Sequence, residues 1–188
     1  MRITLLIPIL LVSLAFVCTG CTPMSTYPPE GKEVAVPWMY PIPQSMAKAL
    51  TETYKKTVVE KNDALPPLVY NLPPGLSQAT WDGIGDKIEI ENVRMATEQD
   101  IQDGTPVWSV ERVSVRGMEV KVDVAYPDAG VYQLAIVSLK SKAFGTYQVS
   151  SFQRFFITAQ KPVANFPFNS TEDTTEIAHT DGESDGSE

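Results

Sequence analysis

The pattern of apolar and polar positions changes character about halfway along the chain. From Gln44 to Lys61, Met46, Leu50, Tyr54 and Val58 recur every fourth residue, with Ala47 beside them and Lys48, Glu52, Lys55 and Lys56 around the rest of the turn. That spacing predicts an amphipathic helix with one buried stripe. Ser45 is placed to cap its start, and Asn62-Asp63 with Pro66-Pro67 to stop it. Leu68, Val69 and Tyr70 predict a short strand before the turn Pro73-Pro74-Gly75. Ser77 then caps a second, shorter helix in which Trp81, Ile84 and Ile88 share a face. Gly83 and Gly85 weaken that helix. GIGDKI lacks the third glycine of a dinucleotide fingerprint, so close packing or a helix end accounts for it better.

Beyond residue 106 the period shortens to two. The segments 107–116, 118–126, 131–140 and 146–157 are rich in β-branched and aromatic residues. In the second, Met118, Val120, Val122, Val124 and Tyr126 alternate with Glu119, Lys121, Asp123 and Ala125, which predicts one buried and one wet face. Arg116-Gly117, Pro127-Asp128-Ala129-Gly130 and Gly145 supply short turns, so the four strands are expected to form an antiparallel meander. A fifth strand is available in KIEIENVRM, followed by a polar loop, ATEQDIQDGTP. The predicted fold class is α+β: two N-terminal helices packed on a C-terminal antiparallel meander of four to five strands. This order of elements resembles the NTF2-like cone, which implies a bent sheet closed around a pocket.

Ahead of the helix the pattern is of another kind. Residues 2–17, RITLLIPILLVSLAFV, have a single basic residue and then a nearly unbroken apolar run. The run is shorter than the about 20 residues of a comfortable membrane span and has the order of an export signal. At its end, Thr19-Gly20-Cys21 resembles the lipobox of bacterial lipoproteins. The resemblance implies cleavage after Gly20 and lipidation of Cys21, giving a chain held on the membrane by its diacylglyceryl and acyl (palmitate-type) groups. Cys18 departs from the pattern, which more often has Leu there. The alternatives are a Cys18–Cys21 disulfide in an ordinary secreted protein and an uncleaved anchor helix. Thr22 is not the aspartate that resembles an inner-membrane retention signal in some bacteria. The expected location is therefore the periplasmic side of an outer membrane, where one exists.

The organisation that follows is 1–20 signal, 21–43 tether, 44–161 domain and 162–188 tail. Prolines at 23, 28, 29, 37, 41 and 43 mark the tether as extended. Trp38, Met39 and Tyr40 interrupt it. They are expected to dock on the domain, with contact to a protein partner or the lipid surface as the alternatives.

Charge changes the picture mainly by where it lies. The formal net charge is −8, but the last eighteen residues hold seven acids (Glu172, Asp173, Glu176, Asp181, Glu183, Asp185, Glu188) and no base, leaving −1 for the rest. No basic face points to nucleic acid. The acidic tail has too little apolar content to fold and too dilute a charge to form a calcium cage. Asn169-Ser170-Thr171 matches a glycosylation sequon and is read as accidental. The only histidine, His179, is in the tail, and both cysteines precede the domain. This excludes Ser-His-Asp and Cys-His catalysis and imidazole or thiolate metal sites from the domain.

What remains for an enzyme is carboxylate and phenol chemistry from Asp123, Tyr126, Tyr132 and Tyr147, should they converge across neighbouring strands. Arg112, Arg116 and Arg154 are the residues for an anion patch. The functional expectation is a lipid-anchored, non-enzymatic binding or assembly module of the cell envelope, without cofactor or metal, whose partner is an envelope protein. The alternative is a small-ligand pocket or enzyme in a cone-like sheet.

Overall fold

The computed structural model of the chain describes residues 24–30, 33–59, 66–142 and 145–168. Among them, seven strands form one mixed sheet: β1 (Met24–Tyr27), β2 (Leu68–Asn71), β3 (Val93–Met95), β4 (Trp108–Arg116), β5 (Glu119–Asp128), β6 (Val131–Ser141) and β7 (Tyr147–Ala159). Three helices accompany it: α1 (Ile42–Tyr54), which runs on into a π-helical turn at Lys55–Val59, α2 (Gln78–Gly85) and α3 (Glu98–Gln102). The spatial order is β3-β2-β4-β5-β6-β7. Strands β4 to β7 pair antiparallel, whereas β2 runs parallel to both β3 and β4. Strands β1 and β2 share one edge of β4, β2 at Trp108 and Ser109 and β1, antiparallel, at Val113 to Arg116.

This corrects the expected fold class. The chain is a seven-stranded mixed sheet with short helices, not two N-terminal helices on an antiparallel meander of four or five strands. The helix-on-meander order behind the cone resemblance goes with it. Three local causes account for the difference. Strand β1 lies inside the proline-rich stretch assigned to the tether, because MSTY sits between Pro23 and Pro28 and leaves its own amides free to pair. The folded unit therefore starts before residue 44. In KIEIENVRM only Val93–Met95 is a strand, and it joins β2 in parallel. All four residues of β2 are buried, as a parallel strand covered on both faces requires.

Two helix boundaries also differ from expectation. Ser45 does not cap α1. The helix begins at Ile42 with a proline in its first turn, where the missing amide costs nothing, and Ser45 is wholly buried inside it. The polar loop ATEQDIQDGTP contains α3, started by a capping box in which Thr97 and Asp100 each hold the other's backbone amide.

The core follows from α1 lying across one face of the sheet. Met46, Leu50 and Tyr54 are at most 1% exposed and join one cluster with Val110, Val113, Val120, Val122, Val124, Val137 and Leu139. The ring of Tyr54 meets that of Trp108 edge to face at 5.3 Å, and the Trp108 indole N–H donates to the Thr57 hydroxyl at 3.4 Å. The space between helix and sheet is thus filled by side chains. On α2, Ser77 does cap the start, and Trp81 stacks on Tyr70 at 5.9 Å.

Gly85 owes its identity to that stack. A Cβ there would stand 2.7 Å from the buried Tyr70 hydroxyl, while one on Gly83 would meet nothing nearer than Lys87 Nζ at 3.9 Å. Gly85→Ala is expected to destabilise the protein by about 1–3 kcal/mol, as overpacking does. Gly83→Ala is expected to be neutral or to stabilise by up to about 1 kcal/mol from helix propensity. Urea unfolding of the two variants checks both signs, and equal behaviour would remove the packing account.

Candidate functional site

The residues proposed for acid–base chemistry do not converge. On β5, Tyr126 shares the core face with Val122 and Val124, whereas Asp123 lies on the opposite face. Tyr126 donates to Gln133 Oε1 at 2.9 Å. Tyr132, facing away from the core, accepts from the Val107 amide at 3.4 Å. Tyr147 sits at the start of β7 with its ring 5.6 Å from that of Tyr40. Burial pushes all three phenols above the usual tyrosine range, so they stay protonated at neutral pH.

Asp123 is already engaged. A bulge at Glu111 shifts the register between Val110 and Arg112 and sets Arg112 opposite Asp123. The guanidinium reaches Asp123 Oδ2 at 2.9 Å from Nε and 2.7 Å from Nη2, and Glu30 Oε2 at 2.6 Å from Nη1. Glu30 follows β1, so this ion triad pins the N-terminal segment to the sheet. The three arginines do not form one patch. Arg154 is on the core side, over the Phe152 ring and donating to the Lys56 carbonyl, and Arg116 is at the far end of β4.

A second ion pair closes the other edge of the sheet. Arg94 on β3 grips Asp100 with two bonds of 2.6 Å, and Asp100 also accepts from the Thr97 amide at 2.9 Å and hydroxyl at 2.6 Å. These donors, the Arg94 side chain first, hold the Asp100 carboxyl well below the usual range. Among the described residues no cluster of His, Cys, Asp or Glu suits a metal ion.

Cys21 and Gly20 lie outside the described residues. The Trp38-Met39-Tyr40 cluster is only loosely docked. The three side chains are 66%, 58% and 52% exposed, with Tyr40 leaning on Tyr147 and Trp38 lining an open cleft of about 260 Å³ against Pro43, Thr80 and Lys87.

A further surface was not anticipated from the pattern. Strand β7 forms one edge of the sheet, and its outer side pairs with no strand among the described residues. Between its partners Leu134 and Gln133, β7 passes from Phe155 to Thr158, so Phe156 and Ile157 are extra residues in a bulge. Phe156 is 81% exposed and Ile157 60%, with Phe155 beside them at 37%. The thirteen residues of β7 include no proline and one charge, Arg154 on the core side, so its outer edge is interrupted by bulges and not by proline. A sequence signal existed: FQRFFI breaks strict alternation with two adjacent aromatics.

Neither a family model, nor a curated protein, nor a solved structure matches the chain.

The Asp100 site gives a pH test. A carboxyl held low in the fold and near 3.9 when unfolded contributes stability that is complete above about pH 4 and is lost as pH falls below it. Asp100→Asn is expected to cost about 1–2 kcal/mol at pH 7. Its deficit against the parent should shrink steadily from pH 4 to pH 2 in thermal unfolding; a deficit independent of pH would show the carboxylate charge to be idle.

Proposed function

We propose that this chain is a lipid-anchored, non-enzymatic binding module of the bacterial cell envelope. Cys21 holds it on the membrane, and the free edge of β7 engages an envelope protein. The anchor rests on Thr19-Gly20-Cys21 behind its apolar run. The binding reading rests on one observation: the β7 bulge that turns Phe156 and Ile157 out of the ladder. Bulges re-aim side chains and are enriched at functional edges, and an unpaired strand edge flanked by exposed aromatics is a surface to which an extended segment of another protein can add.

The test is photo-crosslinking in intact cells. A photoreactive phenylalanine at Phe156 is expected to capture one protein, and the same group at Gln102, exposed on α3, to capture none. With the photoreactive group kept at position 156, Ile157→Lys should lower that capture roughly tenfold, the loss of one interface contact worth about 1.4 kcal/mol. Because Ile157 is 60% exposed, the melting temperature of that variant should hardly move. Equal capture from both positions would sink the edge as the binding surface.

The anchor is tested separately. Cys21→Ser should move the protein from the membrane to the soluble fraction with its fold intact and its in-cell activity lost. A soluble variant that works normally would overturn the anchored reading.

A further inference from the structure

The described chain begins at Met24, and Met24 is paired with Arg116 at the tip of the β4–β5 hairpin. Only Thr22 and Pro23 stand between it and Cys21. Three residue steps reach at most about 11 Å even when fully extended. Strand β5 alone, ten residues, measures roughly 34 Å. On the lipidated-Cys21 reading above, the acyl chains can therefore be close to one end of the sheet and not to the other.

That end has a distinct surface. The β4–β5 turn carries Met118 at 66% exposure, and Met24 beside it is 57% exposed. The β6–β7 turn lies at the same end, since the Ser141 amide bonds to the Met118 carbonyl. The segment 34–41 crosses here too. It leaves the edge of β1, where Val34 bridges Thr26, and arrives at the start of β7, where Tyr40 meets Tyr147 and stands over Gly145. Along the way it carries no charged residue and exposes Trp38, Met39 and Tyr40. Around these apolar groups are Arg116, Lys140 and Lys142, exposed and without an ion pair among the described residues, against one acid, Glu119, in the two turns.

We infer that this end of the sheet is seated on the phospholipid surface, so that the anchor fixes the orientation of the domain as well as its location. Trp and Tyr settle at the headgroup level, where one end of the ring is apolar and the other wet. Methionines adapt to an irregular apolar surface. Lysine and arginine lay their stems along it and put their charges among anionic headgroups. The loose docking of Trp38, Met39 and Tyr40 on their own domain then has a reason. The Phe156 bulge pairs near Leu134 and Gln133, about six residues along the ladder, which places it roughly 20 Å farther from the lipid.

The experiment uses the full lipidated chain with one added cysteine, Met118→Cys or, for reference, Phe156→Cys, each carrying an environment-sensitive dye. Acyl modification is verified first by mass spectrometry. The proteins are bound to vesicles of phosphatidylcholine and phosphatidylglycerol containing a lipid spin-labelled in its headgroup. The dye at position 118 is expected to lose at least half of its emission and the dye at position 156 almost none. Equal quenching at both positions, or none at either, in acylated and vesicle-bound protein overturns the orientation while leaving the anchor intact. A chain found without acyl groups overturns the anchor and this inference with it, and the mass spectrum tells the two failures apart.

Discussion

Where α1 ends over the start of β4, Tyr54 and Trp108 close edge to face, and Thr57 one turn later accepts the indole N–H. This contact fixes how the helix crosses the sheet, and most of the remaining structure is positioned by that crossing. A sheet cannot hide its apolar face alone, and α1 is the longest helical element described. Burying one large side chain is worth about 1.5–3 kcal/mol, so Met46, Leu50 and Tyr54 together rival the whole net stability of an ordinary domain, about 5–15 kcal/mol. The same crossing brings the first turn of α1 to the beginning of β7, which is why Tyr40 reaches Tyr147 and the exposed segment 34–41 spans one end of the molecule.

The other face of the sheet has no long helix, and beside a small apolar cluster of Val69, Ala96 and Val107 it is organised by polar contacts. Asn71 and Ser109 bond to each other across β2 and β4 at 2.9 Å, and Asn71 also binds the Val163 carbonyl and the Asn165 amide, both at 3.0 Å. Asn165 returns a bond to the Leu72 carbonyl at 2.9 Å. A buried amide with its donors and acceptors filled avoids a desolvation penalty and fixes register at the same time. The C-terminal segment is thereby held against β2, as Glu30 is held against β4 by Arg112 on the same sheet. Directional bonds thus fasten both ends of the described chain, and at the N-terminal end they add to the packing of Tyr27 in the main core.

Much of this was legible in the residues. The α1 stripe Met46, Leu50, Tyr54 and Val58 is buried as its spacing requires, and β4 to β7 lie within one to two residues of the alternating segments. Even the β4 bulge is written in the chain, as the polar pair Glu111-Arg112 that throws the alternation out of phase. What escaped depends on long-range pairing. MSTY carries no period and becomes a strand because the outer edge of β4 is free to receive it. LVYN and VRM are too short to declare a direction, and their parallel arrangement is imposed by the connections through α2 and α3. Thr97 and Asp100 were a readable capping box that the polar composition around them concealed. For the site, exposure decided the matter: FQRFFI looks like core, and only its place on the sheet's edge, with a two-residue insertion, turns it outward.

The two bulges of β7 bound what its edge can offer. One falls at Ser150 and the other at Phe156–Ile157, so the longest regular run of the ladder is from Ser151 to Phe155. A strand added there finds five residues in phase, a short contact that yields low intrinsic affinity and a fast off-rate. Such a contact becomes occupied only when the two molecules are confined to the same thin layer, where local concentration can rise to the millimolar range. Geometry of this kind makes occupancy depend on co-residence, and it leaves the complex free to exchange when either molecule moves away.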